Sequence, residues 1–132
     1  MPRLFRQSPL NGVWEGSGNV ISLDMLRAMQ RNPESVEAFM GELWAASGED
    51  PRYDSALQDL ATELAGGVAE ADARRLTDRM AVMLQASLLL RHAPGFVADG
   101  FVTSRIAEPS SIYGVLPDRV DTAAIVERAL PA

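Results

Sequence analysis

The stretch EADARRLTDRMAVMLQASLLLRH, residues Glu70 to His92, decides how this sequence folds. Within it Leu76, Met80, Met83, Ser87 and Leu90 recur at alternating steps of four and three, the seam spacing of antiparallel bundle helices. The pattern predicts one long helix as the spine of the chain. An amphipathic helix must bury its apolar stripe against another element, so the flanking sequence has to supply the cover.

That cover reads as more helices, because nowhere does a sustained period-two pattern announce a strand. Val20 to about Gln30 carries Ile21, Met25 and Met29 as an apolar stripe, and Asn32-Pro33 ends it, since the residue before proline is pushed out of the α region. From about Glu34 to Ala46 the positions Val36, Phe39, Met40, Leu43 and Trp44 form a second buried face. A third helix is expected over Tyr53 to Ala65 with Leu57, Leu60, Ala61 and Leu64 inward, closed by Gly66-Gly67. After the spine, "HAPG" breaks the chain, and Phe96 to Ile106 resumes with Val97 and Phe101 facing in. The loop EPSSIYGVLPDRVD leads to a last helix from Thr122 to Leu130 with Asp121 as its cap. The expected fold is all-α, an antiparallel bundle of about five to six helices in one domain, 1–132. Its parts are a loop over 1–19, the main bundle over 20–107, and a loop with a short terminal helix over 108–132.

Composition narrows the function classes. A chain of 132 residues is enough for one hydrophobic core. The formal charge is −6 and all twelve basic side chains are arginine, which disfavours nucleic acid as a partner unless arginines cluster in space. Absence of cysteine removes disulfides, thiolate metal sites and thiol nucleophiles, and the single histidine, His92, argues against a zinc site. No metal is expected. The sequence lacks a signal-peptide pattern and any apolar run of membrane-spanning length, so a cytoplasmic protein without membrane contact is expected.

One loop stands apart from this bundle. In "GVWEGSGN", Gly12 to Asn19, a glutamate and a large aromatic lie among three glycines just before the first long helix. Its plain reading is a helix cap, with Ser17 or Asn19 accepting from free N–H groups. Capping does not explain Trp14 or Glu15. A glutamate partly desolvated beside an aromatic has a raised pKa and is a better general base near neutral pH, and helix N-terminal amides behind it suit an anionic ligand. Elsewhere the plain readings dominate: Arg74, Arg75 and Arg79 are interleaved with Asp72 and Asp78 on a solvated face, His92 favours the negative helix end, and Met80, Met83, Phe39 and Trp44 have core spacing.

The run RLFRQSPLNGVWEGSGNV, residues Arg3 to Val20, followed by Leu23-Asp24 and Leu26-Arg27, resembles the C-terminal domain of the acyl-CoA dehydrogenase family. It is most similar to the branch associated with the adaptive response to DNA alkylation, as are Leu88 to Ile106 and the tail VDTAAIVERA. The resemblance implies that Glu15 is the base removing the α-proton of an acyl thioester while the β-hydrogen leaves as hydride to the flavin N5. It implies FAD as cofactor, contacted by Gly16, Ser17 and Asn19, with Ser17 standing where many relatives have threonine. Trp14, in the substrate pocket, replaces a common tyrosine. Arg27 matches a basic residue thought to face DNA, though an Asp24-Arg27 pair on a solvated face accounts for it as well. Phe5, Gln7 and Gly12 depart from the commoner family pattern.

Complete members carry further domains before this point, so the chain resembles the C-terminal part of a longer protein, inactive alone. Three readings follow from the sequence: part of a flavin-dependent acyl-CoA dehydrogenase, with an acyl-CoA substrate and a homo-tetramer implied by the resemblance; a non-enzymatic helical module binding DNA or a subunit partner; and a product without retained function.

Overall fold

A computed structural model describes residues 2–12, 18–110, 112 and 115–130. The described residues form seven α-helices and no strand: α1 (Pro2–Gln7), α2 (Gly18–Arg31), α3 (Pro33–Trp44), α4 (Pro51–Ala65), α5 (Ala73–His92), α6 (Gly95–Val102) and α7 (Thr122–Ala129). The all-α expectation holds. Three short pieces complete it, 3-10 turns at Ser8–Gly12 and Glu70–Asp72 and a π-turn at Thr103–Ala107. Residues 2–12 were expected within a loop and are helical instead.

Local chemistry sets the boundaries. Proline opens both α3 and α4, where a missing N–H costs nothing and its fixed φ suits the helix. Asp50 caps α4 by accepting the Arg52 backbone N–H at 2.8 Å, and Asp121 caps α7 by accepting that of Ala124 at 3.0 Å, as its position before the helix predicts. Gly48 turns the chain between α3 and α4 with φ 91°, a conformation other residues adopt at a cost. Its N–H donates to the Asp54 carboxylate at 3.1 Å.

The spine sits where its spacing puts it. Leu76, Met80, Met83, Ala86 and Ser87 of α5 are buried, and α2, α3, α4 and α6 all pack on this helix. Leu43, Leu57 and Leu60 complete the core with no exposed surface. Tyr53, not expected inside, is fully buried as well, and its hydroxyl donates to the Leu43 carbonyl at 2.8 Å, which satisfies the polar end of an otherwise apolar ring.

Three faces differ from the sequence reading in which residues they bury. On α2 the inward positions are Ser22 and Leu26, with Met25 and Met29 half-buried, while Ile21 is 46% exposed. A serine can be buried there because its hydroxyl donates to the Gly18 carbonyl one turn back at 2.8 Å. On α3 the helix ends at Trp44, which is 39% exposed, and Ala46 takes the next buried position. Trp44 is therefore not core. On α6 the buried residues are Ala98, Gly100 and Val102, with Val97 and Phe101 only half-buried. Small residues fit there because α7 and the turn before it approach closely: a Cβ added at Gly100 would lie 3.1 Å from Val120 Cγ1 and 3.2 Å from Ile125 Cδ1.

Replacing Gly100 by valine should lower the unfolding free energy by about 1–3 kcal/mol through overpacking. Gly100→Ala should cost less, since it gains about 0.5–1 kcal/mol of helix propensity. Urea denaturation measures both, and hydrogen exchange should show α7 losing protection first.

Candidate functional site at the start of the second helix

Trp14, Glu15, Gly16 and Ser17 lie outside the described residues, so the site is seen from the helix they lead into. That helix begins at Gly18. Asn19 is therefore a residue of the first turn of α2 and not its cap, and its side-chain oxygen is free to look outward. It accepts a hydrogen bond from Arg74 Nη1 at 3.2 Å, across 55 positions of sequence.

Arg74 lies at the start of α5, and its guanidinium is 4.0 Å from where a Cβ at Gly18 would sit. Asn19, Ser22, Leu23, Glu70, Ala73 and Arg74 line a pocket of about 260 Å³ between the two helix starts. Arg74 gives the rim a positive end that favours an anionic group. Glu70 is the one acid among the lining residues and sets the opposite side of the pocket. Sequence reading placed Arg74 in a solvated basic patch, because nothing local reveals that it reaches Asn19.

Five other arginines, Arg27, Arg75, Arg79, Arg91 and Arg119, are held by acids. Arg27 donates to Asp24 at 2.8 Å on an exposed face, the ordinary i, i+3 pair. Arg75 and Arg79 both engage Glu63 of α4, at 2.6 and 2.8 Å, and Arg79 also donates to the Ala56 carbonyl at 3.1 Å. Hydrogen bonding from Arg75 is the main reason the Glu63 carboxyl is held below its ordinary pKa. Arg91 pairs with Glu42, and Arg119 with Glu108. His92 stands exposed in the last turn of α5.

A second polar centre binds α4 to α6. Arg52 Nη2 meets Asp50 at 2.5 Å and Asp99 at 2.7 Å, while its Nη1 donates to buried Thr103 at 2.8 Å. Hydrogen bonding from Arg52 lowers the Asp50 pKa, and the two aspartates raise that of Arg52. Its donors face only this protein's own side chains, so this centre holds the fold. Among the described residues no cluster of three or more histidines and acids is arranged for a metal ion, and no helix is long and apolar enough to cross a membrane.

No protein-family model matches the chain, and no solved structure matches it. Over 93 residues it is 30% identical to "Putative acyl-CoA dehydrogenase AidB" of Escherichia coli (strain K12). The similarity supports an acyl-CoA dehydrogenase-like domain. The match covers 70% of this chain and 17% of that protein, so the chain corresponds to a minor part of its acyl-CoA dehydrogenase-like relative.

Asp50 and Glu63 both have lowered pKa values in the fold. Their contribution is thus fully present above the unfolded carboxylate values of about 4 and disappears as pH falls through the lower folded ones. Urea midpoints should fall steeply below about pH 4. The fall should be shallower in Glu63→Gln, whose residue 63 no longer titrates.

Proposed function

We propose that the chain is the C-terminal part of a flavin-dependent, acyl-CoA dehydrogenase-like protein of the alkylation-response branch, with Glu15 as general base toward the α-proton of an acyl-CoA. Its support is the 93-residue similarity together with the pocket at the start of α2, immediately after the loop that carries Glu15. Neither observation alone reaches so far.

The fit of FAD can be judged from the groups present. Arg74 supplies a cation and Asn19 a polar side chain beside it, a pair suited to the charged edge of a phosphate-bearing ligand. At about 260 Å³ the pocket is below the usual size for a whole small-molecule ligand, so this chain would hold an edge of the cofactor through Gly16, Ser17 and Asn19. When bound, FAD supplies the acceptor for a hydride. The chain's own part is to place the Glu15 carboxylate against the α-carbon and take its proton, with Trp14 walling the substrate pocket and excluding water. A carboxylate left in water stays near its reference pKa of about 4.3; burial by the substrate and the adjoining domains would raise it toward the working range. The completed protein is read as a homo-tetramer in a cytoplasmic setting.

The binding-module reading, with DNA as partner, gains little from the surface. Arg27, Arg75 and Arg79 already spend donors on Asp24 and Glu63, and phosphate contacts would have to displace those acids.

The deciding experiment is Glu15→Gln in the protein completed by its preceding domains. Reduction of bound flavin by acyl-CoA should fall by about 10³-fold or more, as loss of a general base combined with positioning implies, while flavin absorbance at rest is retained. Undiminished bleaching would remove Glu15 from the role of base.

A further inference from the structure

We infer that Met29 is an oxidation-sensitive site, at which hydrogen peroxide converts the thioether to a sulfoxide and so loosens α2 from the bundle. The site depends on the packing of α2 alone, not on the function proposed above. In the reaction the sulfur takes one peroxide oxygen: an S–O bond forms as the O–O bond breaks, and water leaves. Sulfur is oxidised by two electrons and the peroxide is reduced by two.

Three of the six methionines, Met25, Met29 and Met80, line one hollow of about 200 Å³ between α2, α3 and α5, with Val36 and Phe39 as further walls. Met29 also lines a second hollow, of about 380 Å³, with Leu26, Val36, Leu64 and Val68. Its side chain is half-buried and packs on the core, yet a solute as small as peroxide reaches it from two sides. Met80 and Met83 of α5 are only 9% and 1% exposed. Oxidant therefore meets the α2 side of the seam first.

The supply of hydrogen-bond donors separates Met29 from Met25. A thioether sulfur is a weak acceptor, whereas a sulfoxide is polar and its oxygen needs a partner when buried. Beside the Met25 sulfur stands the Thr77 hydroxyl at 3.4 Å, which also donates to the Ala73 carbonyl at 2.7 Å and could turn to a sulfoxide oxygen. Met29 has no such neighbour in its two linings. The Ser35 hydroxyl donates to the Asn32 carbonyl at 2.7 Å, Glu37 is an acceptor when ionised, and Gln30 is the next residue along α2, where adjacent positions do not face each other. An oxygen on Met29 must therefore stay unsatisfied among apolar side chains or swing out to water, and either course gives up the contact with Val36 and Leu64. Only Ser22 and Leu26 of α2 are fully buried, so the half-buried methionines are a large part of its hold on α3 and α5. Asn19 stands in the first turn of this helix, so its bond to Arg74 depends on that hold.

Titration of the full chain with hydrogen peroxide, followed by peptide mass mapping and hydrogen exchange, tests this. Met29 should oxidise before Met80 and Met83, and as its sulfoxide forms the amides of α2 should exchange about tenfold faster or more while those of α4 keep their protection. Met29→Leu, a swap that nearly conserves volume, should keep α2 protected after the same treatment, whereas Met25→Leu should not. Met29→Gln, which sets a polar group in the same place, should loosen α2 without any peroxide. The inference is overturned if Met29 stays intact while Met80 or Met83 oxidises, or if α2 keeps full protection with Met29 oxidised. Equal loosening in oxidised Met29→Leu, equal rescue by Met25→Leu, or an α2 undisturbed by Met29→Gln would overturn it as well.

Discussion

The constraint on which the molecule depends is burial of one face of α5. Leu76, Met80, Met83 and Ser87 are too many apolar and near-apolar positions for a single neighbour to cover, and four helices converge on them. Short helices are marginal by themselves in water, so α2, α3, α4 and α6 owe most of their stability to this shared seam. Ser87 fits within it because its hydroxyl donates to the Glu42 carbonyl at 2.9 Å, which fixes where α3 lies along the spine.

Polar contacts then settle orientation at the ends, where apolar packing is permissive. The Tyr53 hydroxyl locks the start of α4 to the last turn of α3, and Arg52 locks it to α6. Burial also raises the Tyr53 pKa, as expected for a phenol that must stay neutral inside a core. Direct packing of α2 on α5 is what brings Arg74 to Asn19.

Periodicity made most of the fold legible. The spine, the capping role of Asp121 and the breaks at Asn32-Pro33 and "HAPG" could all be read from spacing and turn chemistry, because each depends on neighbours in sequence. What escaped depends on contacts far apart. Ile21 looked inward by period alone, yet the closeness of α2 to α5 favours a serine whose hydroxyl bonds its own helix. Trp44 looked like core until the helix end turned it out, and Tyr53 has no local sign of its partner carbonyl. The candidate site divides the same way: Glu15 and its loop were marked by composition and resemblance, whereas Arg74 reaches Asn19 only through the packing of two helices.

The fork in which Arg75 and Arg79 grasp Glu63 has a chemical consequence beyond stability. All twelve cationic side chains are guanidinium groups, so this link between α4 and α5 offers no amine for acylation. A lysine in either place would be open to acetylation and would lose its charge on modification.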